Sequence, residues 1–204
     1  MFGRKKSKDR SGTPADLLVV GLGNPGGQYV GTRHNVGADV IALLAERHGE
    51  KLKLGRQAAL AADIRVGEFR MAIAFPQTFM NHSGISVRDL AGRHKISDPK
   101  RMVVIHDELD LKPGTSKVKL GGGLAGHNGL KSITRHIKTQ DFVRVCIGIG
   151  RPRGSKSVSE YVLSSPGKDD RIDIDIEVEK AADVAERFLH DDVEAIMNDY
   201  NREQ

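Results

Sequence analysis

Short apolar runs alternate with amphipathic stretches along the chain, and this alternation predicts both strands and helices. Helices separate some of the predicted strands, whereas the short gap between 66 and 69 indicates a hairpin. The pattern therefore predicts an α/β domain with a mixed sheet. Strands are predicted at 17–22, 58–66, 69–75, 102–106, 116–120, 143–149 and 159–163, and helices at 36–48, 84–95, 128–138 and from 168 onward.

The segment DIDIEVEKAADVAERFL, residues 173–189, begins with the alternation of a strand but continues too long and with too many charges for one. We therefore predict a helix there. At 204 residues the chain fits a single domain, over 15–204. Residues 1–14 are polar, basic and without hydrophobic periodicity, so we expect a disordered basic tail.

Positive and negative charges are segregated along the sequence. Residues 1–14 carry five Lys or Arg and one acid, residues 15–165 carry 22 and 13, and residues 166–204 carry five and 13. The basic surplus suggests a polyanionic partner such as nucleic acid. On charge alone, a scatter of solvated lysines explains it equally well.

Membrane and disulfide proteins are disfavoured. No apolar run approaches the roughly 18 residues of a membrane span, and the amino terminus lacks the apolar core of a signal peptide, so we expect a cytoplasmic protein with no membrane partner. The single cysteine, Cys146, excludes an internal disulfide or a multi-cysteine metal site and is predicted to be a buried strand residue.

The stretch GLGNPGGQYVGTRHNVG, residues 21–37, begins as G-x-G-x-x-G directly after a predicted strand. A dinucleotide site needs a helix starting within the glycines and an acid about 20 residues on, at the end of the next strand. Here the helix starts later and Glu46 falls inside it, so this hypothesis is disfavoured. What remains is a loop at the carboxyl end of a strand that carries Asn24, Tyr29, Arg33, His34 and Asn35.

Three other stretches bring polar groups to loops or helix starts. FPQTFMNHSG (75–84) contains Phe79, Met80 and Asn81, VVIHDELD (103–110) contains Asp107, and KLGGGLAGHNG (119–129) contains His127 and Asn128. Taken singly, each group has a structural explanation. Asn81 and Asn128 can each cap a helix, Asp107 can be an acid in a turn, and the glycines can form a mobile loop. Together they favour a constructed site.

The available chemistry points to a histidine base. HDELD lacks the spacing of H-E-x-x-H or of a 2-His-1-carboxylate site, so we expect no metal, and no G-x-S-x-G motif supplies a serine nucleophile. His34 is left as a general base that activates water. Asp107 is the best candidate to hold its tautomer and to favour the imidazolium that forms.

These stretches, in this order, resemble the bacterial-type peptidyl-tRNA hydrolase family. The resemblance runs from about residue 17 to 163 and includes HDELDLKPG, KLGGGLAGHNGLKSI, DFVRVCIGIGRP and EYVL beside the motifs above. It implies a monomeric single α/β domain whose mixed sheet is surrounded by helices. It also implies hydrolysis of the ester between a peptide and the terminal ribose of tRNA, with peptidyl-tRNA as partner and no cofactor.

Carried over by position, the resemblance makes His34 the base, Asp107 its stabilising partner and Asn24 a group that distinguishes N-blocked from free aminoacyl-tRNA. It assigns contacts with the aminoacyl and 3′-terminal part of the substrate to Tyr29, Phe79, Met80, Asn81 and Asn128. Because Cys146 occupies a position that is often basic in the family, phosphate would be held by Lys119 with either Arg144 or Arg151, or more weakly. The alternative is a non-catalytic RNA-binding relative, whose expected loss of the loop asparagines or histidine is not seen.

Overall fold

The computed structural model describes residues 12–152 and 154–202, so most of the expected tail lies outside the described residues. Seven strands and six α-helices are present in this part of the chain. The strands are β1 (Leu17–Gly21), β2 (Lys53–Leu54), β3 (Ala59–Val66), β4 (Phe69–Pro76), β5 (Met102–Glu108), β6 (Ser116–Leu120) and β7 (Val143–Gly148). The helices are α1 (Val36–Arg47), α2 (Ser83–His94), α3 (Asn128–Ile137), α4 (Val158–Val162), α5 (Lys168–Arg187) and α6 (Val193–Tyr200).

All seven strands form one mixed sheet in the order β2-β3-β4-β1-β5-β7-β6. The four central strands, β4, β1, β5 and β7, are parallel, whereas β2, β3 and β6 pair in antiparallel fashion at the two sides. The hairpin predicted around 66 to 69 is confirmed as β3 and β4. Because the central strands are parallel, the loops that follow them meet at one carboxyl edge.

Apolar cores cover both faces of the sheet. Odd-numbered β1 residues such as Leu17 and Val19 pack with α1 and α5, and even-numbered ones such as Leu18 and Val20 pack with α2 and α3. This alternation follows from the period of two in a strand. It confirms a mixed sheet enclosed by helices, and residues 173–187 are helical as predicted.

The prediction of a strand near 159–163 is wrong, because this segment forms helix α4. Ser157 caps the helix: its hydroxyl accepts from the backbone N–H of Glu160, and the Glu160 carboxylate accepts from the backbone N–H of Ser157. This reciprocal capping box stabilises the first turn of a helix. The two-residue strand β2 was not predicted.

Gly37 allows the first turn of α1 to lie directly against the ends of β1 and β5. A β-carbon at this position would lie 2.3 Å from the carbonyl oxygen of Ile105 and 2.5 Å from the backbone nitrogen of Leu22. Both neighbours are backbone atoms and cannot rotate away. The close approach therefore depends on glycine at this position.

We expect Gly37→Ala to lower the free energy of unfolding by about 1–3 kcal/mol, because the added methyl overpacks a rigid backbone contact. Urea denaturation measures the change. Gly92→Ala is the matched control, since Gly92 lies in α2 with open space around the new methyl; it should be stabilising by about 0.5–1 kcal/mol. A Gly37→Ala variant as stable as the wild type would contradict the packing argument.

Candidate active site

A cavity of about 720 Å³ lies at the carboxyl edge of the sheet. The loops after β1, β4 and β5 contribute to it, as expected for parallel neighbours. Seven of the ten residues predicted to form the site line this cavity: Asn24, His34, Phe79, Met80, Asn81, Asp107 and Asn128. Tyr29, Lys119 and Arg144 are not among its lining residues.

His34 and Asp107 form the centre of the site. His34 Nδ1 lies 2.8 Å from Asp107 Oδ1, so the ring donates to a carboxylate whose side chain is 3% exposed. His34 itself lies on a short 3₁₀ helix, Arg33–Asn35, just before α1. Its other nitrogen, Nε2, has no hydrogen-bond partner among the described residues. That nitrogen is the one left to accept a proton.

The loop that carries His34 is braced by an asparagine pair. The backbone nitrogen of Asn24 donates to Asn35 Oδ1 at 2.9 Å, and Asn35 Nδ2 donates back to the carbonyl of Asn24 at 2.9 Å. Asn35 is buried. Its side chain thus ties together the two ends of the loop between β1 and α1, and this fixes the position of His34 within that loop.

Charge and burial act in opposite directions on the central pair. Burial disfavours the imidazolium of His34, but the charge of Asp107 and its hydrogen bond outweigh burial, so the pKa of His34 is raised above its ordinary value of 6.5. Burial also disfavours the Asp107 anion, yet His34 and His127 beside it bring the pKa of Asp107 well below its usual range. The carboxylate is therefore ionised wherever His34 can act as a base.

His127 is also a member of the site, although the sequence motifs assigned it no role. Its Nε2 lies 3.1 Å from the same Asp107 oxygen, while its Nδ1 accepts from the backbone nitrogens of Gly129 and Leu130 at the start of α3. With Nδ1 accepting, Nε2 must carry the proton that goes to Asp107. The cap of α3 therefore fixes the tautomer of a second histidine that orients the carboxylate.

A third imidazole, His106, lies behind this pair and is fully buried. Its ring centroid is 5.0 Å from that of His127, its Nδ1 donates to the carbonyl of Asp107 at 2.7 Å, and its Nε2 lies 3.4 Å from Cys146 Sγ. Burial and the neighbouring His127 lower the pKa of His106 to about 3. Cys146 is buried in β7, which confirms the prediction of a buried strand residue, and burial raises the pKa of its thiol to about 12.

The asparagine amides are oriented by the backbone or exposed to the cavity. Asn24 Oδ1 accepts from the backbone nitrogen of Met80 at 2.8 Å, which turns its Nδ2 group toward other partners. Neither Asn81 nor Asn128 caps a helix: His82 and His127 hold the cap positions of α2 and α3. The structural explanation of these two asparagines as caps is therefore wrong.

Arg144 lies beneath the glycine-rich loop after β6. It is 2% exposed, and its Nη1 donates to the carbonyl of Gly123 at 2.8 Å. Lys119 pairs with Arg144 across the β6–β7 ladder, and Lys117 pairs with Cys146 in the same way, so both lysines point to the α3 face of the sheet. Lys117 is exposed and Lys119 half-buried.

Helix α4 closes one side of the cavity and is fastened by Arg33. Arg33 Nη1 donates to the carbonyls of Ser164 and Ser165 at 3.1 and 2.9 Å, and the guanidinium lies 4.1 Å from the centre of the Tyr161 ring. Val158, Ser159, Val162 and Leu163 from this segment line the cavity. The sequence placed Arg33 on the loop but gave no signal of these long-range contacts.

His34, Asp107 and His127 are also the group of potential metal ligands that the described residues bring within 4.8 Å of one another. The hydrogen bonds already described use one nitrogen of each ring and one oxygen of the carboxylate. A cation bound among them would have to replace both protons. The expectation of no metal stays a prediction.

Fold and site together define a single-domain α/β protein with a histidine–carboxylate pair in a cavity at the carboxyl edge of its sheet. The family model described as Peptidyl-tRNA hydrolase matches residues 18–204. A peptidyl-tRNA hydrolase from Frankia alni is 45% identical over 184 residues, covering 90% of this chain and 93% of that protein. One from Cutibacterium acnes is 43% identical over 195 residues, covering 90% and 97%.

The crystal structure of peptidyl-tRNA hydrolase from Acinetobacter baumannii aligns with a TM-score of 0.85 at 34% identity, covering 94% of this chain and 97% of that one. The chain belongs to the peptidyl-tRNA hydrolase family, which confirms the resemblance drawn from the ordered motifs. The relatives carry an enzyme name, so they support a catalytic function and not the non-catalytic alternative. Within the described ranges, no helix is long and apolar enough to cross a membrane.

We expect an NMR titration to find the pKa of His34 above 6.5, and Asp107→Asn to lower it, because a neutral amide stabilises imidazolium less than a carboxylate does. His106 serves as an internal control: its ring should stay neutral throughout, with a pKa of about 3. A wild-type His34 that titrates at or below 6.5 would show instead that burial outweighs the charge and hydrogen bond of Asp107.

Proposed function

We propose that this protein hydrolyses the ester between a peptide, or an N-blocked amino acid, and the 3′-terminal ribose of tRNA, with His34 as the base. The observation that carries the proposal is the fixed tautomer of His34: Nδ1 is held at 2.8 Å by Asp107, and Nε2 is available in the cavity. An ester needs no covalent intermediate if water, base and carbonyl are correctly placed.

In the proposed reaction, Nε2 of His34 takes a proton from water while the hydroxide oxygen bonds to the ester carbonyl carbon. The tetrahedral intermediate then collapses, the bond to the ribose oxygen breaks, and the imidazolium returns its proton to that oxygen. Asp107 favours the transient imidazolium, and His127 holds the carboxylate in place through their 3.1 Å contact.

Asn24 is the proposed donor to the substrate. Its Oδ1 is committed to the backbone of Met80, so its Nδ2 can donate to the carbonyl oxygen as negative charge develops there. Asn81, Asn128 and the 58% exposed ring of Phe79 would contact the aminoacyl group and the terminal nucleotide. Tyr29 does not line the cavity, but it lies on the same loop as Asn24 and would contact the substrate at the edge of the cavity.

The tRNA backbone would lie on the α3 face of β6 and β7, where Lys117 and Lys119 point. Burial of Arg144 against Gly123 supports a different task for this arginine, namely holding the glycine-rich loop, with phosphate contact left mainly to the lysines. We further propose that the protein works as a monomer in the cytoplasm, where its tRNA substrate is found.

We expect the wild type to hydrolyse N-acetyl-aminoacyl-tRNA in preference to the unblocked aminoacyl-tRNA, and His34→Ala to lower kcat about 10²–10⁴-fold through loss of the base. Release of the labelled amino acid measures both rates. His48→Ala is the matched control, because His48 contacts Glu186 rather than the cavity. Undiminished turnover in His34→Ala, or no preference for the blocked substrate, would refute the proposal.

Asp107→Asn should lower kcat and shift the acidic limb of the pH–rate profile to lower pH. The reaction needs neutral His34, so activity falls as pH drops through its pKa; removing the Asp107 charge lowers that pKa. The profile of kcat/KM from pH 5 to 9 checks the shift. A limb that does not move would rule out this role for Asp107.

A further inference from the structure

A second cavity, of about 730 Å³, adjoins the first at the same edge of the sheet. The two cavities share Leu109 and Arg151 as lining residues, so they meet at the loop that follows β5 and at the start of the loop that follows β7. The wall between them is the α4 segment, which contributes Val162 to the first cavity and Tyr161 to the second. None of the catalytic groups described above lines the second cavity.

The second cavity and the basic strand β6 lie toward opposite faces of the sheet. Asp170, at the start of α5, and Arg33, just before α1, line the cavity, and both helices pack on the same face. Lys117 and Lys119 point to the other face, on which α3 packs. The catalytic cavity lies between these two regions.

An ester of tRNA has two arms that leave the reacting carbonyl carbon in different directions. If the RNA arm lies over Lys117 and Lys119, the second cavity is the space that adjoins the catalytic cavity on the side away from these lysines. We propose that the second cavity binds the peptide arm of the substrate, beyond the residue that forms the ester. This inference rests on the proposed function.

The lining of the second cavity suits a peptide. Leu111, Pro113 and Tyr161 offer apolar surface, and a volume of this size is ordinary for a ligand site. Arg33 is buried and held by the Ser164 and Ser165 carbonyls, so it forms a fixed part of the wall.

The charged groups of the lining make the second cavity favour one sign of ligand charge. Arg151 pairs with Asp110, and Arg33 lies 3.5 Å from Asp170, so these two pairs nearly cancel. Lys112 has no ion-pair partner among the described residues, and Lys156 donates to the neutral hydroxyl of Ser164 at 3.1 Å. The two exposed lysines leave a positive surplus, which favours an acidic over a basic side chain in the peptide.

Three substrates on one tRNA test the proposal: N-acetyl-Ala-tRNA, N-acetyl-Glu-Gly-Gly-Ala-tRNA and N-acetyl-Lys-Gly-Gly-Ala-tRNA. We expect the wild type to show a kcat/KM about threefold higher for the glutamate peptide than for the lysine peptide. The ratio is small because attraction between solvent-exposed charges is weak. The double variant Lys112→Gln/Lys156→Gln should abolish this ratio and leave N-acetyl-Ala-tRNA unaffected. Comparison on one tRNA cancels any general change in RNA attraction.

The matched control is Lys51→Gln/Lys100→Gln, which removes two exposed lysines that line neither cavity and should keep the ratio. A ratio of one in the wild type, or a ratio that survives in the Lys112/Lys156 variant, would overturn the peptide assignment. Equal slowing of all three substrates by that variant alone would assign the cavity to RNA phosphates and overturn it as well. Absence of any N-acetyl-Ala-tRNA hydrolysis would instead refute the proposed function.

Discussion

The site depends on one hydrogen bond, between His34 Nδ1 and Asp107 Oδ1. It joins the loop after β1 to the end of β5, and these two segments meet because β1 and β5 are parallel neighbours in the sheet. The bond fixes which nitrogen of His34 carries the proton and raises the pKa of that ring. Gly37 and the Asn24–Asn35 pair hold the backbone close enough for the bond to form.

Around this bond the protein separates its tasks between the two faces of the sheet. The α1 and α5 face carries a continuous apolar core, with the acidic carboxyl-terminal segment on its outer side. The α3 face carries the basic edge strand β6 and the loop held by Arg144. The carboxyl edge adjoins both faces, and the catalytic cavity and the second cavity lie there.

Sequence patterns predicted the helices and strands that have a clear hydrophobic periodicity. They also predicted the site residues that lie next to glycine-rich motifs. His34, Asp107 and Asn24 could be placed because parallel strands bring their loops together. Helix α4 was misassigned because it has only five residues, too few to show a helical period, and its start depends on the Ser157–Glu160 capping box. The contacts of Arg33 with Ser164 and of Arg144 with Gly123 join residues far apart in the chain, and no local pattern reports them.

His127 shows why the sequence alone could not distinguish residues of the site from residues that stabilise the fold. One ring nitrogen caps the start of helix α3, and the other contacts the carboxylate of Asp107. A change of this residue therefore acts on folding and on chemistry at once, and neither effect can be tuned alone. The ring at this position therefore meets two geometric requirements at once, as an acceptor toward the start of α3 and as a donor toward Asp107.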